Sequence, residues 1–256
     1  MKISIITVTY NSSKTLNQTL DSVLSQTYEN FEHIIIDGAS KDNTIDIVKS
    51  YEKKYKGKLK YISEKDSGLY DAMNKGIDMA TGDVIGILNS DDIYANTNVL
   101  KTIANVFEEK KCDGIYGDLI FMDYESMKIP QRVWISKKGN IIKGWQPPHP
   151  TIYLKKEVYD IIGKFNLNYK IVSDYDFMIR LMTNSKINIE YINEVLIFMR
   201  SGGLSTNGIK GYIENLKESN IVLKNNNIKN YYFINFKRIV KTINQMLISK
   251  FTKKIK

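Results

Sequence analysis

The 256-residue sequence predicts an α/β fold, a mostly parallel sheet flanked by helices and followed by a small antiparallel portion. Three observations predict it. Short apolar runs alternate with helical periods through the first 118 residues, which is the rhythm of βαβ units. The run Val84 to Leu88 lacks the alternation of a half-exposed strand and reads as a central parallel strand, covered on both faces. It ends in Asn89, Ser90, Asp91 and Asp92, four polar groups at a strand's carboxyl end, the edge where open α/β sheets bind ligands.

In order, Ile3 to Val8 is a first strand with the polar exit Thr9-Tyr10-Asn11-Ser12-Ser13. Ser12 or Ser13 can cap a helix whose Leu16, Leu20, Val23 and Leu24 fall at i, i+4, i+7 and i+8. Ile34 to Ile36 is a second strand, with a helix from about Thr44 to Tyr55, and Leu59 to Ile62 is a third. A helix over about Ser67 to Ala80 has the apolar stripe Leu69, Met73, Ile77 and Ala80, with Asp71, Asn74, Lys75 and Asp78 opposite. Val99, Ile103, Val106 and Phe107 mark another helix before a strand at Gly114 to Gly117. Right-handed crossovers put the exits of the parallel strands on one edge.

From Leu119 the pattern changes. Leu119 to Met122 and Arg132 to Ile135 read as an antiparallel pair, and Lys137 to Pro150 as a long loop of the kind that forms lids or binding elements. Thr151 to Leu154 returns as a strand, a helix spans about Ser173 to Met182, and Ile187 to Tyr191 and Val195 to Met199 read as two closing strands. Arg200-Ser201-Gly202-Gly203 is a flexible exit, a polar helix reaches about Leu223, and Lys224 to Lys229 is a linker. This divides the chain into a domain over 1–205, with halves 1–118 and 119–205, and a helical extension over 206–256.

Net charge is +9, but residues 231–256 hold seven basic residues and no acidic one, leaving 30 basic against 28 acidic elsewhere. A nearly neutral body argues against a nucleic-acid-binding face. Tyr232, Phe236, Ile239, Ile243, Met246 and Leu247 recur at helical spacing in that tail, which suits an interfacial helix drawn to anionic lipid. Packing on the body, or pairing with another subunit, is the alternative. The lone Cys112 excludes an intrachain disulfide and fits a reducing compartment. No apolar run approaches the roughly 20 residues of a membrane span, and no secretory signal is recognised. The expected location is cytoplasmic, peripheral on the inner face of the plasma membrane.

Adjacent carboxylates at Asp91 and Asp92 crowd negative charge, which a divalent ion completed by substrate phosphates relieves. The same residues also suit an Asx turn capping the helix that begins near Thr97. His149, between Pro148 and Pro150, is held extended and is either a substrate contact or an ordinary surface histidine. Asp174, at a helix entrance, is a cap or a general base, whereas Asp176 and Arg180 are i, i+4 partners.

Six motifs in order carry a resemblance. Val8-Thr9-Tyr10-Asn11, Ile36-Asp37-Gly38-Ala39-Ser40-Lys41-Asp42, Asp66-Ser67-Gly68, Asn74-Lys75-Gly76, Asn89-Ser90-Asp91-Asp92 and Ser173-Asp174-Tyr175-Asp176 resemble those of family 2 glycosyltransferases over about residues 1–205. The resemblance implies the GT-A fold, with a Rossmann-like sheet and an antiparallel acceptor-side portion. It is nearest to bacterial transferases of capsule, O-antigen or exopolysaccharide assembly. It implies inverting transfer from a UDP-, GDP- or dTDP-linked sugar to a glycan or undecaprenyl-linked acceptor, with Mn²⁺ or Mg²⁺.

Carried over, Tyr10 stacks on the base and Asn11 orders its loop. Asp37, Asp66, Lys75 and Asn89 belong to the nucleotide-sugar site. Asp91 holds the metal, with Asp92 as a second metal or donor contact. Asp174 is the catalytic base. His149 and Arg200 contact acceptor or diphosphate, and Arg200 to Ser205 closes over the site. Val8, Gly38, Asn89 and Ser173 depart from the family's usual Pro, Asp, Asp and Glu. A nicotinamide oxidoreductase is disfavoured because the first turn, Thr9 to Ser12, lacks Gly-x-Gly-x-x-Gly. The rival readings are a nucleotidyltransferase, whose early Gly- and Arg-rich phosphate loop is missing, and an inactive sugar-nucleotide-binding scaffold subunit.

Overall fold

The computed structural model describes residues 1–202 and 208–252. Its parallel half is built from β1 (Ile3–Thr9), β2 (Phe31–Asp37), β3 (Leu59–Ser63) and β4 (Val84–Ile87), separated by α1 (Leu16–Leu24), α2 (Thr44–Tyr55) and α3 (Leu69–Met79). Then come β5 (Ile93–Tyr94), α4 (Val99–Lys110), β6 (Gly114–Met122), β7 (Pro130–Trp134), β8 (Tyr153–Lys155), α5 (Lys156–Ile162), α6 (Ser173–Thr183) and β9 (Ile189–Arg200). The helices α7 (Gly208–Asn225) and α8 (Tyr231–Thr252) follow. One sheet runs in the order β3-β2-β1-β4-β8-β6-β9-β5, with β7 paired to β6.

All residues of β1, β2 and β4 are buried, as strands covered on both faces must be. Their side chains alternate between two cores. Ile6, Val8, Ile34 and Ile36 pack with Met73, Ile77 and Phe177 beneath α3 and α6. Ile3, Ile5 and Ile35 pack with Leu20, Val48 and Ile103 beneath α1, α2 and α4. The strand β8 joins the halves, antiparallel to β4 on one side and to β6 on the other.

Several expectations are corrected. The two closing strands are one, β9; register shifts around Asp118 absorb Ile192 to Glu194, and this bulge interrupts the apolar pattern. The two-residue β5 and the seven-residue α5 carry too few residues to show a period. On α3 the buried stripe is Tyr70, Met73 and Ile77, while Leu69 is exposed. Neither Ser12 nor Ser13 caps α1 with its side chain. The Ser12 carbonyl accepts from the Thr15 and Leu16 amides, and its hydroxyl meets Ser90 at 2.9 Å.

The two faces of the tail differ. One face of α8 packs inward through Ile234 and Asn235, with Arg238 over the Tyr175 ring at 3.7 Å. The other exposes Tyr232, Phe233, Phe236, Val240 and Ile243. The side chains of Met246 and Leu247, and residues Gly203 and Ser205, lie outside what is described. Among the described residues no helix is long and apolar enough to cross a membrane.

The core also contains a histidine. The His33 Nδ1 lies 2.9 Å from the Tyr55 hydroxyl and Nε2 lies 2.9 Å from the Thr7 hydroxyl. Tyr55 donates its own proton to the Leu20 carbonyl, so Nδ1–H is the donor and Thr7 donates to Nε2. Burial pushes the His33 pKa down to about 3. Between that value and the unfolded value near 6.5 the unfolded chain binds more protons, so stability is lost as pH falls through this window. Unfolding in urea at pH 5 and pH 7.5 should differ by roughly 2 kcal/mol from this group, and His33→Gln should remove that share of the slope. An equal slope in both proteins would refute the assignment.

Candidate active site

The exits of β1, β2 and β3 build a cradle. Asn11 has φ 51°; its amide donates to the Ser40 hydroxyl at 2.8 Å, and its Oδ1 accepts from the Lys41 amide at 2.8 Å. That clasp ties the first exit to the second. The Asp37 carboxylate is fully buried and accepts from the Ser40 amide and from the Ser40 and Ser63 hydroxyls. It therefore organises the exit loops from behind.

Tyr10 is left 59% exposed at the rim. A Cβ on Gly38 would lie 2.7 Å from Asp66 Oδ2 and 3.4 Å from the Tyr10 ring, so Tyr10, Gly38 and Asp66 enclose one small space. Beside it the Thr9 hydroxyl is buried with no partner. Lys75 is held by Glu64 at 2.7 Å and by the Lys65 carbonyl at 3.3 Å, so it braces the segment leading to Asp66. Gly38→Ala should weaken nucleotide binding by about 10-fold, since the neighbours must shift by tenths of an ångström. Calorimetry showing wild-type affinity would remove the cradle from the site.

The exit of β4 is a tight turn, with the Asp92 amide donating to the Asn89 carbonyl at 3.1 Å. It does not cap α4, because β5 intervenes and Asn98 is the capping position. Asp92 is completely buried; it accepts from the Asn89 amide group at 2.8 Å and from the Arg200 backbone at 3.1 Å. Both of its oxygens, and the Asn89 side chain, thus hold the turn. Asp91 is the half-buried member of the pair. Burial raises the pKa of both carboxylates; Asp91 raises that of Asp92 further, and Arg200 offsets part of each shift.

Arg200 is buried too. Its guanidinium donates to the carbonyls of Asp91 and Tyr124 and to Gln18 Oε1 at 2.7 Å. It positions the Asp91 turn.

On the far half, Asp174 Oδ2 lies 3.2 Å from His149 Nδ1, and Oδ1 lies 3.1 Å from the Tyr70 hydroxyl. Tyr70 comes from α3, His149 from the turn before β8 and Asp174 from the first turn of α6. Burial lowers the His149 pKa, and the Asp174 charge raises it part of the way back. Asp174 is not the cap of α6. Glu218, reaching over from α7, accepts the amides of Lys170, Ile171 and Val172 at 2.8–3.1 Å. Asp176 is held by Arg180 Nε at 2.9 Å and by the Asn226 amide at 2.9 Å, so it is structural as expected. Tyr70 and Glu218 are the contributors that the sequence did not reveal. Tyr70-Met73-Ile77 has the i, i+3, i+7 spacing that could have flagged the first; nothing local flags the second.

Residues 4–175 match the model of Glycosyl transferase family 2. A PGL/p-HBAD biosynthesis glycosyltransferase of Mycobacterium tuberculosis is 32% identical over 212 residues, 79% of this chain and 78% of that protein. Staphylococcus aureus TarS 1–349, solved in complex with UDP-GlcNAc, is similar with a TM-score of 0.67 at 21% identity, over 87% of this chain and 66% of that one. The chain spans only 39% of the longer TarS chain. The mannosyltransferase PcManGT of Pyrobaculum calidifontis, solved with GDP-Man and Mn²⁺, also gives a TM-score of 0.67, at 14% identity, over 97% of this chain and 73% of that one. These two structures share the GT-A-type fold. With a family match across two thirds of its length and a relative this similar over most of it, the chain belongs to glycosyl transferase family 2 and is a glycosyltransferase.

Proposed function

We propose that this glycosyltransferase moves a sugar, with inversion, from a nucleotide-diphosphate donor to a hydroxyl of a glycan or lipid-linked glycan in bacterial surface glycoconjugate synthesis, of capsule, O-antigen or exopolysaccharide type. The observation that carries this reading is Asp174, a carboxylate in the first turn of α6 held between His149 and Tyr70. The mycobacterial relative's name places that protein in PGL/p-HBAD biosynthesis, and the solved neighbours hold UDP-GlcNAc and GDP-Man. In this reading residues 1–118 hold the donor, 119–205 the acceptor, and 206–256 form an appendage.

Tyr10 stacks on the base over Gly38, with Asp66 beside it. Asp174 takes the proton of the acceptor hydroxyl as that oxygen attacks the anomeric carbon from the face opposite the diphosphate. Direct displacement inverts the centre, and the bond to the diphosphate breaks as the new glycosidic bond forms. Asp91 suits a hard divalent cation. Among the described residues no group of three or more His, Cys, Asp or Glu could hold a metal, so protein ligands alone do not complete a shell and the donor's phosphates must. When bound, Mn²⁺ or Mg²⁺ supplies positive charge beside the departing diphosphate. Incubation with UDP-, GDP- and dTDP-sugars, with and without Mn²⁺, should reveal one class that stabilises the protein to heat and is slowly hydrolysed. Silence across the whole panel would overturn the reading.

We also place the outer face of α8 on an anionic membrane surface. Its exposed Phe233 and Phe236 flank Lys237, whose ammonium lies 4.3 Å from the Phe233 ring, and no acidic residue occurs after Glu218. Each basic residue near such a surface adds about 1 kcal/mol, and each buried Phe about 1.5–3 kcal/mol. Phe233→Ser with Phe236→Ser should therefore cut binding to phosphatidylglycerol vesicles at least ~10-fold without altering the melting temperature. Unchanged sedimentation with vesicles would contradict this placement.

A further inference from the structure

The hydroxyl that faces Asp174 is braced by both helices that meet there. The Tyr70 ring is buried and stacks on Phe165, with centroids 5.6 Å apart. One turn along α3, the Asn74 amide group donates to the Phe165 carbonyl at 2.9 Å, and its oxygen accepts from the Phe165 backbone at 3.0 Å. The loop after Phe165 is tied to α6 in turn, since the Ser173 hydroxyl donates to the Asn166 carbonyl at 2.8 Å. The phenol is thus kept beside the carboxylate.

The protons around this hydroxyl can be counted. Its oxygen lies 2.8 Å from the Ile171 carbonyl and 3.1 Å from Asp174 Oδ1. A phenol has one proton and two lone pairs, whereas a carbonyl and an ionised carboxylate only accept. While Asp174 is charged, one proton therefore faces two acceptors. Once Asp174 carries a proton on Oδ1, both contacts are filled: Oδ1–H donates to Tyr70, and Tyr70 donates to Ile171. The Asp174 amide, one of the unpaired donors in the first turn of α6, acts on the other lone pair. Burial and the Asp174 charge push the Tyr70 pKa far up, and that amide offsets part of the shift. Tyr70 therefore keeps its own proton.

Other titratable groups face this pair. His149, from the turn before β8, lies 3.2 Å from Asp174 Oδ2 through Nδ1 and gives that oxygen its partner. Glu218 of α7 adds a charge that acts on Tyr70, and Arg238 of α8 stacks on the adjacent Tyr175.

We infer that Tyr70 is a positioning residue for the proton transfer: the proton taken from the acceptor hydroxyl comes to rest on Asp174 Oδ1, donated to the Tyr70 oxygen. The inference rests on Asp174 being the base, as proposed above. The acceptor O–H bond breaks and the Oδ1–H bond forms. The electron pair left on the acceptor oxygen makes the glycosidic bond, and the pair of the broken bond leaves with the diphosphate. A hydrogen bond that exists only for the protonated carboxyl draws this step forward.

The test follows the carboxyl carbon-13 resonance of Asp174 in the full chain as pH is lowered, assigned by its loss in Asp174→Asn. Tyr70→Phe keeps the ring on Phe165 and removes the hydroxyl. The midpoint should then fall by about 0.5–1 pH unit, because the protonated carboxyl has lost its acceptor. An unchanged midpoint overturns the inference, and so does a higher one, which would show the phenol serving the charged form. The same comparison with His149→Gln in both chains should give the same shift; its disappearance would assign the midpoint to the imidazole and overturn the inference. In the wild type, the ring carbon bearing the Tyr70 hydroxyl should move with that midpoint, a measurement that needs no folded variant. An indifferent resonance there counts against the contact.

Hydrolysis of the UDP-, GDP- and dTDP-sugar panel in Mn²⁺ should fall about 10-fold in Tyr70→Phe, with nucleotide affinity unchanged. In the Asp174→Asn background Tyr70→Phe should add nothing, whereas an equal factor in both backgrounds marks a purely structural tyrosine. If Asp174→Asn transfers sugar normally, the base reading falls. If that variant is inactive and the Tyr70→Phe midpoint is unmoved, only the role of Tyr70 falls.

Discussion

Replacing Asp174 with Asn is expected to slow sugar transfer by about 10²–10⁴-fold while leaving donor affinity and melting temperature close to wild type. The structure explains why activity and stability should separate. The N-cap position of α6 is Val172, and Glu218 holds the amides of the segment leading into it, so the helix start does not rest on the Asp174 side chain. Asn retains the size and, with one oxygen in place of two, can still accept from His149 while its amide nitrogen faces the Tyr70 hydroxyl. It cannot take a proton from an acceptor hydroxyl. His149 sets up the internal comparison, since its Nδ1 faces Asp174 Oδ2 and its other ring nitrogen could serve as base in a paired arrangement. With Asp174 as base, His149→Gln should cost about 10-fold or less, because Gln can still donate to the carboxylate. Steady-state transfer by both variants decides the matter. A deeper loss in the His149 variant than in the Asp174 variant would move the proton transfer to the imidazole and make Asp174 its orienting partner.

The parts of this site legible in the sequence were those set by short-range physics. β1, β2 and β4 could be read because strands buried on both faces are continuously apolar, and their polar exits then fall on one edge. The Asp176–Arg180 pair followed from helix spacing alone. What could not be read was the division of labour among polar residues already picked out. Asp37, Asn89, Asp92 and Arg200 all stand in the right motifs, yet each is committed to protein partners. For Arg200 those partners are Gln18, Asp91 and Tyr124, from 76 to 182 residues away in sequence. Glu218 holds the segment leading into α6, more than 40 residues before it. Such roles depend on which loops meet, and the sheet order places β9 beside β5 and β6 by crossovers that local periodicity does not encode. Helix α7 supplies Glu218 to the segment that leads into Asp174.

Replacing Asp91 with Asn should have opposite effects on function and stability. Two adjacent carboxylates are removed from water here, one completely buried and one half-buried, and each disfavours charge on the other. Arg200 and the Asn89 amide offset only part of this, and they act mainly on the turn and on Asp92. An arrangement that opposes its own charge persists where function needs it. In metal-free buffer, Asp91→Asn removes a repulsion and keeps the turn, because the Arg200 contact is to the Asp91 backbone carbonyl and not to its side chain. A gain of about 1 kcal/mol is expected, or roughly 2–4 °C in melting temperature for a chain of this size. Function should move the other way. Without this carboxylate the cation beside the diphosphate loses its protein anchor, and transfer should fall by at least about 10²–10³-fold. Melting with UDP or GDP, in Mn²⁺ and after chelation, measures both effects in one experiment. The wild type should be stabilised by nucleotide only when Mn²⁺ is present, and the variant should start higher but gain little. If Mn²⁺ and nucleotide together raise the variant's melting temperature as much as the wild type's, Asp91 does not hold the ion.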